Sequence, residues 1–159
     1  QDGFLGEQSF HMAEELGDFV IWGKSGEPAY QLAVVVDDED QHISQVLRGD
    51  DLIPSTARQI LLYQAFGHTP PEFIHVPLVV GTDGLRLAKR HGDTTLQGLR
   101  RAGFTAPDVL RWLATVSGMK SAKEWSHPIS PADLIPVWDL MRLENGPVIW
   151  EGPNCLRMT

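Results

Sequence analysis

Val46-Leu-Arg-Gly-Asp-Asp-Leu-Ile-Pro-Ser-Thr-Ala-Arg-Gln-Ile-Leu-Leu-Tyr63, followed by Phe73-Ile-His-Val-Pro-Leu-Val-Val80, is the stretch on which the fold class turns. Residues 42–48 alternate Ile43, Gln45 and Leu47 against Ser44 and Val46, the two-residue period of a strand. The loop Gly49 to Thr56 leads into a helix, with Ser55 or Thr56 as its expected N-cap. Ala57, Ile60, Leu61, Leu62, Ala65 and Phe66 give that helix an apolar face, and Gly67 is the expected stop. Residues 73–80 read as a further strand, with Pro77 counting against a central position. Strand, helix and strand in succession imply an α/β sheet with a crossover helix.

Upstream, residues 1–16 show no period and read as an edge segment or docking arm. Asp18 to Trp22 reads as a short strand and Lys24 to Pro28 as a turn. Residues 29–36 are apolar apart from Gln31 and rich in Val, the pattern of a strand buried on both faces; Asp37 to Gln41 is then a charged loop. Downstream, Thr82-Asp-Gly84 turns the chain tightly. Residues 96–102 and 106–116 read as helices, and Ser130-Pro-Ala-Asp starts another. The last dozen residues carry no pattern. The composition changes near residue 95, so the expected division is an α/β part, 1–95, and a helical part, 96–159.

The chain has 159 residues, 42% of them hydrophobic and 21% charged, with a net charge of −8. That is ordinary globular usage and excludes whole-chain disorder and a basic coat for nucleic acid, though not a local basic patch. The single cysteine, Cys155, allows neither an internal disulfide nor a multi-cysteine zinc site, which fits a reducing, cytoplasmic setting. No apolar run reaches the length of a membrane helix, and no signal peptide is visible.

Two places could carry chemistry. In Gly84-Leu-Arg-Leu-Ala-Lys-Arg-His-Gly92 and the helix beyond it, Arg86, Lys89, Arg90, Arg100 and Arg101 supply five of the chain's 13 cations. Such a cluster on a glycine-flanked loop is either an anion site, most simply for phosphate, or a solvated basic turn. Arg48 ends a strand beside a loop, where it can hold a carboxylate with two parallel hydrogen bonds or form an internal ion pair with Asp37, Asp50 or Asp51. Tyr30 begins the Val-rich run, and its hydroxyl needs a partner in a ligand or in the backbone. The six histidines lack the short helical spacing of a zinc motif and read as core or surface residues, so no metal site of protein side chains is expected. No Walker loop, Gly-x-Gly-x-x-Gly or Gly-x-Ser-x-Gly segment occurs.

Five segments then occur in order: residues 30–38 (Tyr-Gln-Leu-Ala-Val-Val-Val-Asp-Asp), 46–52 (Val-Leu-Arg-Gly-Asp-Asp-Leu), 55–63 (Ser-Thr-Ala-Arg-Gln-Ile-Leu-Leu-Tyr), 75–79 (His-Val-Pro-Leu-Val) and 86–92 (Arg-Leu-Ala-Lys-Arg-His-Gly). From about Asp18 to Gly118 the chain closely resembles the second half of the catalytic domain of glutamyl-tRNA synthetases and of their shorter relatives, the glutamyl-queuosine tRNA(Asp) synthetases. Residues 86–90 resemble the Lys-Met-Ser-Lys-Ser signature of class I aminoacyl-tRNA synthetases. The resemblance implies half of a split Rossmann-type domain followed by a helical stem-contact region. It implies that glutamate and ATP, the latter with Mg, give glutamyl-adenylate, whose glutamyl group passes to a tRNA. Tyr30 and Arg48 would bind glutamate. Lys89, helped by Arg86, would hold the ATP phosphates and act catalytically on the leaving pyrophosphate.

The chain departs from the family pattern in three ways. Arg86 and Ala88 replace the first Lys and the Ser of the signature, and Val34 stands where many relatives have Asn. The His-x-Gly-His half of the domain is also absent from the sequence, so the chain reads as a fragment that is inactive alone and needs that half as a partner. The expected acceptor is the queuosine of tRNA(Asp). The alternatives are an ordinary glutamyl-tRNA synthetase fragment and a non-catalytic module binding RNA or phosphate.

Overall fold

The computed structural model describes residues 1–87, 95–119 and 129–157. The chain divides into two compact units, Gln1–Val76 and Pro77–Thr159. The units therefore part at Pro77, before the change in composition near residue 95.

In the first unit, helix α1 (Tyr30–Asp40) precedes strand β1 (Gln45–Gly49), helix α2 (Ile53–Phe66) and strand β2 (Glu72–Val76). β1 and β2 pair in parallel, with Val46 opposite Phe73 and Arg48 opposite His75. The expected crossover unit is thus present, with α2 as the connection. Residues 1–6 form an arm along the outer edge of β2, where the Gly3 amide donates to the Phe73 carbonyl at 2.9 Å.

Three expectations for this unit are corrected. Residues 29–36 are not a strand. The chain is helical from Tyr30, only Val35 is fully buried, and it packs with Leu62 and Tyr63 of α2. A Val run has the same composition whether one face or two are covered, and β propensity yields to packing. Asp37 to Asp40 are the last turn of this helix rather than a loop. Residues 18–22 form no strand: Trp22 makes one isolated bridge to Pro28 around the turn, and Val20, Ile21 and Trp22 stay exposed. Helix α2 starts earlier than expected, with Pro54 in its first turn, so Ser55 and Thr56 lie inside it and cap nothing. Its buried side chains are Gln59, Leu62 and Tyr63, a stripe rotated from the expected one; Leu61 and Phe66 are exposed. The expected stop holds, since Gly67 takes the left-handed conformation at φ 75°.

Tyr63 is buried, and its hydroxyl finds no hydrogen-bond partner among the described residues. Burial, together with the charges of Asp38 and Glu39, pushes its pKa up. Removing an unpaired buried hydroxyl while keeping the ring relieves a desolvation penalty, so Tyr63→Phe is expected to raise stability by about 1 kcal/mol. A lower midpoint in a thermal melt would contradict this.

In the second unit the expected 73–80 strand is interrupted at Pro77. Its end is a separate strand, β3 (Val79–Gly81), paired in parallel with β4 (Val148–Trp150), which no sequence pattern announced. After β3 the Gly84 amide donates to the Gly81 carbonyl, Gly84 takes φ 72°, and Val80 and Arg86 form an antiparallel bridge. The expected tight turn is therefore present. Helices α3 (Leu96–Arg101) and α4 (Ala106–Val116) match expectation, and a short α5 (Pro131–Leu134) follows Ser130. The core is Leu99, Trp112, Trp150 and Leu156.

Helix α4 carries a full capping box. Thr105 and Asp108 satisfy each other's end of the helix, with the Thr105 amide and hydroxyl donating to Asp108 at 2.8 and 2.6 Å. Those bonds from Thr105, aided by Arg111, hold the Asp108 carboxyl below its usual pKa against a smaller effect of burial. Thr105→Ala is expected to cost about 1 kcal/mol, measured by denaturant unfolding.

Candidate functional site

Arg48 leaves β1 on the sheet face that also carries Phe73 and His75, because residues two apart on a strand share a face. Its guanidinium lies 5.1 Å from the centroid of the Phe73 ring, and Phe73 stacks on His75 at an interplanar angle of 15°. Helix α2 supplies two acceptors to this face. Arg48 Nη2 donates to Thr56 Oγ1 at 2.5 Å and to Gln59 Oε1 at 2.8 Å, while Nε donates to His75 Nε2 at 3.2 Å. Starting α2 at Ile53 is what frees the Thr56 hydroxyl for this task.

The acceptors are themselves held. Gln59, fully buried, donates through Nε2 to Gln31 Oε1 at 2.9 Å, and Gln31 donates to Ser55 Oγ at 3.0 Å. A chain of amides thus ties α1 to α2 and fixes which end of Gln59 faces Arg48. On the other side, Asp2 and His75 form a buried pair at 2.6 Å.

The electrostatics are lopsided. Arg48 is only partly exposed, and among the described residues no carboxylate forms an ion pair with it. Its described hydrogen-bond acceptors are a hydroxyl, an amide and an imidazole. Burial lowers the Arg48 pKa; the Tyr30 hydroxyl, Asp38 and Asp51 act the other way. Burial likewise raises the Asp38 pKa, which the Arg48 charge opposes. The internal ion pair that was the plain alternative for Arg48 is not made with Asp37, Asp50 or Asp51 within contact distance. A half-buried guanidinium oriented by neutral acceptors can receive an anion on the N–H groups it has left, those of Nη1.

Tyr30, at the first turn of α1, is 54% exposed and interacts with the Arg48 guanidinium through its hydroxyl. Two of the four expected site residues, Tyr30 and Arg48, are therefore brought together within the first unit. Arg86 is exposed beyond the Gly84 turn of the second unit. Lys89 lies outside the described residues. A cleft of about 240 Å³ in the first unit reaches Thr56, Phe73 and His75 from the side of Phe10 and Ile60, but neither Arg48 nor Tyr30 lines it.

Sequence reasoning missed Gln31, Thr56, Gln59, His75 and Asp2. Gln59 and His75 had a faint signal, a polar residue inside an otherwise apolar stripe or strand. The reading of the histidines as satisfied core residues describes His75 well, but it overlooked what His75 satisfies. Asp2 had no signal at all.

Residues 1–127 match the family described as tRNA synthetases class I (E and Q), catalytic domain. A glutamyl-Q tRNA(Asp) synthetase of Symbiobacterium thermophilum is 52% identical over 132 residues, covering 83% of this chain and 40% of that protein. A glutamate–tRNA ligase of Rubrobacter xylanophilus is 40% identical over 145 residues, 87% of this chain and 32% of that protein. Among solved structures, a glutamate tRNA ligase from Elizabethkingia meningosepticum, crystallised with its amino acid, superposes with a TM-score of 0.70 at 26% identity, over 88% of this chain and 31% of that one. The chain thus spans about two fifths or less of the length of these relatives. With its parallel β1–α2–β2 unit and this match, the chain belongs to the family of class I (E and Q) tRNA synthetase catalytic domains.

Proposed function

We propose that this chain is part of a glutamyl-queuosine tRNA(Asp) synthetase, with residues 1–95 forming the C-terminal half of the catalytic domain and residues 96–159 a stem-contact region. The protein activates glutamate with ATP and transfers it to the queuosine of tRNA(Asp). The observation that carries the glutamate reading is the half-buried Arg48 guanidinium, held by neutral acceptors and without a contacting carboxylate among the described residues. Arg48 grips a carboxylate of glutamate, and the Tyr30 hydroxyl donates to it. A pocket built around a charge rejects glutamine, which would leave that charge unpaired. Arg86 and Lys89 hold the ATP phosphates, and Lys89 stabilises the charge that develops on pyrophosphate. Among the described residues no cluster of three His, Cys, Asp or Glu side chains is placed to hold a metal; magnesium arrives with the nucleotide. RNA contacts fall on the Arg86 to Arg101 stripe and weaken steeply with salt. Among the described residues no helix is long and apolar enough to cross a membrane.

The queuosine assignment is supported by the 52% identity to two glutamyl-Q synthetases, against 40% to the Rubrobacter ligase. The test is attachment of labelled glutamate to tRNA(Asp) with and without queuosine, and to tRNA(Glu), by the complete polypeptide that carries this chain. Label on queuosine-containing tRNA(Asp) alone is the expected result. Label on tRNA(Glu) would assign an ordinary glutamyl-tRNA synthetase. RNA binding without any glutamate-dependent pyrophosphate exchange would leave a binding module.

A further inference from the structure

Asp2 and His75 are both almost fully buried, and they meet across 73 residues of sequence. Both oxygens of the Asp2 carboxylate are engaged. Its Oδ1 receives the main-chain amides of Phe4 at 3.0 Å, Leu5 at 2.9 Å and His75 at 3.2 Å, while Oδ2 faces His75 Nδ1 at 2.6 Å. Burial alone would raise the Asp2 pKa, but the bonds from Leu5, His75 and Phe4 together outweigh it and hold the carboxyl below its ordinary value. An ionised carboxylate only accepts, so the proton of this contact sits on His75 Nδ1. Arg48 Nε can only donate, so at 3.2 Å it meets His75 Nε2 as an acceptor, with Thr56 Oγ1 beside it at 2.9 Å.

From this polarity we infer that Asp2 and His75 are positioning residues for Arg48, which rests on the reading of Arg48 as the carboxylate-binding group. Asp2 sets the histidine tautomer, the tautomer makes Nε2 an acceptor, and that acceptor fixes the rotation of the guanidinium about its Nε. Thr56 and Gln59 hold Nη2. With Nε and both hydrogens of Nη2 engaged, the plane of the guanidinium is set before any ligand arrives, and the two hydrogens of Nη1 remain to donate to an incoming carboxylate. Neither Asp2 nor His75 touches the substrate in this arrangement.

The variant that tests it is Asp2→Asn. The amide keeps the side chain's shape, and its oxygen stays with the three main-chain donors. Its NH2 then faces Nδ1, moves the ring proton to Nε2, and sets two donors, Nε2–H and Arg48 Nε–H, against each other. Nitrogen-15 NMR of the chain is expected to show the His75 proton on Nδ1 in the parent and on Nε2 in Asp2→Asn. In the complete polypeptide, pyrophosphate exchange is expected to show a glutamate KM raised by about tenfold to a hundredfold with the ATP KM unchanged. His75→Phe behaves likewise, and His75→Gln, which restores an acceptor, recovers part of the loss. If Asp2→Asn does not fold, the contrast between the two His75 variants decides. The inference is overturned if the parent carries the proton on Nε2. It is also overturned if neither the Asp2 nor the His75 variants change the glutamate KM while Arg48→Ala raises it. An unchanged KM in Arg48→Ala overturns the pocket reading instead, and this inference with it.

Discussion

Arg48→Ala is expected to raise the KM for glutamate by about a hundredfold or more in the complete polypeptide, while the KM for ATP stays within about twofold. Truncating one member of a desolvated charge pair costs about 2–5 kcal/mol, and about 1.4 kcal/mol is a factor of ten. Arg48 stands at the strong end of such cases for three reasons. Its head group is only partly exposed. It is held in advance by His75, Thr56 and Gln59, so little rotamer freedom is lost when the ligand binds. No protein carboxylate among the described residues competes for it at contact distance. Arg48→Lys is expected to recover only a small part of the loss, because one ammonium on a flexible stem cannot serve three fixed acceptors and a planar ligand together. Glutamate-dependent pyrophosphate exchange measures both variants. A glutamate KM unchanged in Arg48→Ala would remove the glutamate site from this position, whatever the acceptor RNA proves to be.

Trp112→Ala is expected to cost the second unit about 3–5 kcal/mol, the usual loss when a large aromatic leaves a core. Trp112 meets Trp150 edge-to-face, with ring centroids 5.0 Å apart and planes at 88°. Aromatic pairs in that geometry add stabilisation beyond the area they bury. Trp150 is also the last residue of β4, so the same contact anchors a three-residue strand to helix α4. The pairing of β4 with β3 spans only Val79 to Gly81, so the strand also leans on the cluster of Leu99, Trp112 and Leu156 that takes up Trp150 and Val148. The loss is large against the roughly 5–15 kcal/mol that stabilises an ordinary domain. Trp112→Phe is expected to lose less, since it keeps a ring against Trp150. Denaturant unfolding followed by near-ultraviolet circular dichroism distinguishes them. A loss below about 1 kcal/mol for Trp112→Ala would mean that the cluster is not the core of this unit.

The readings that held rest on signals contained within a few residues. Gly67 and Gly84 are required at positive φ, Pro107 marks the first turn of α4, and the order of β1, α2 and β2 follows from their periods. The readings that failed needed a neighbour. Whether residues 30–36 lie in a helix or a strand depends on what covers them, and α2 covers one side only. Val148 to Trp150 becomes a strand because β3 offers an edge and Trp112 a surface, both far away in sequence.

The candidate site divides along the same line. Arg48 and Tyr30 were singled out in the sequence, but residue type left each with two readings, and only the family resemblance offered them a role in binding glutamate. What holds Arg48 was not legible. The Thr56 hydroxyl became available only when α2 began about one turn before its expected cap, and Asp2 reaches His75 only because the N-terminal arm runs beside β2. Local order is written in side-chain period and turn chemistry, which a linear chain carries openly. The direction of a hydrogen bond between residues far apart is decided by which buried groups have no other partner, and that exists only once the chain has closed on itself.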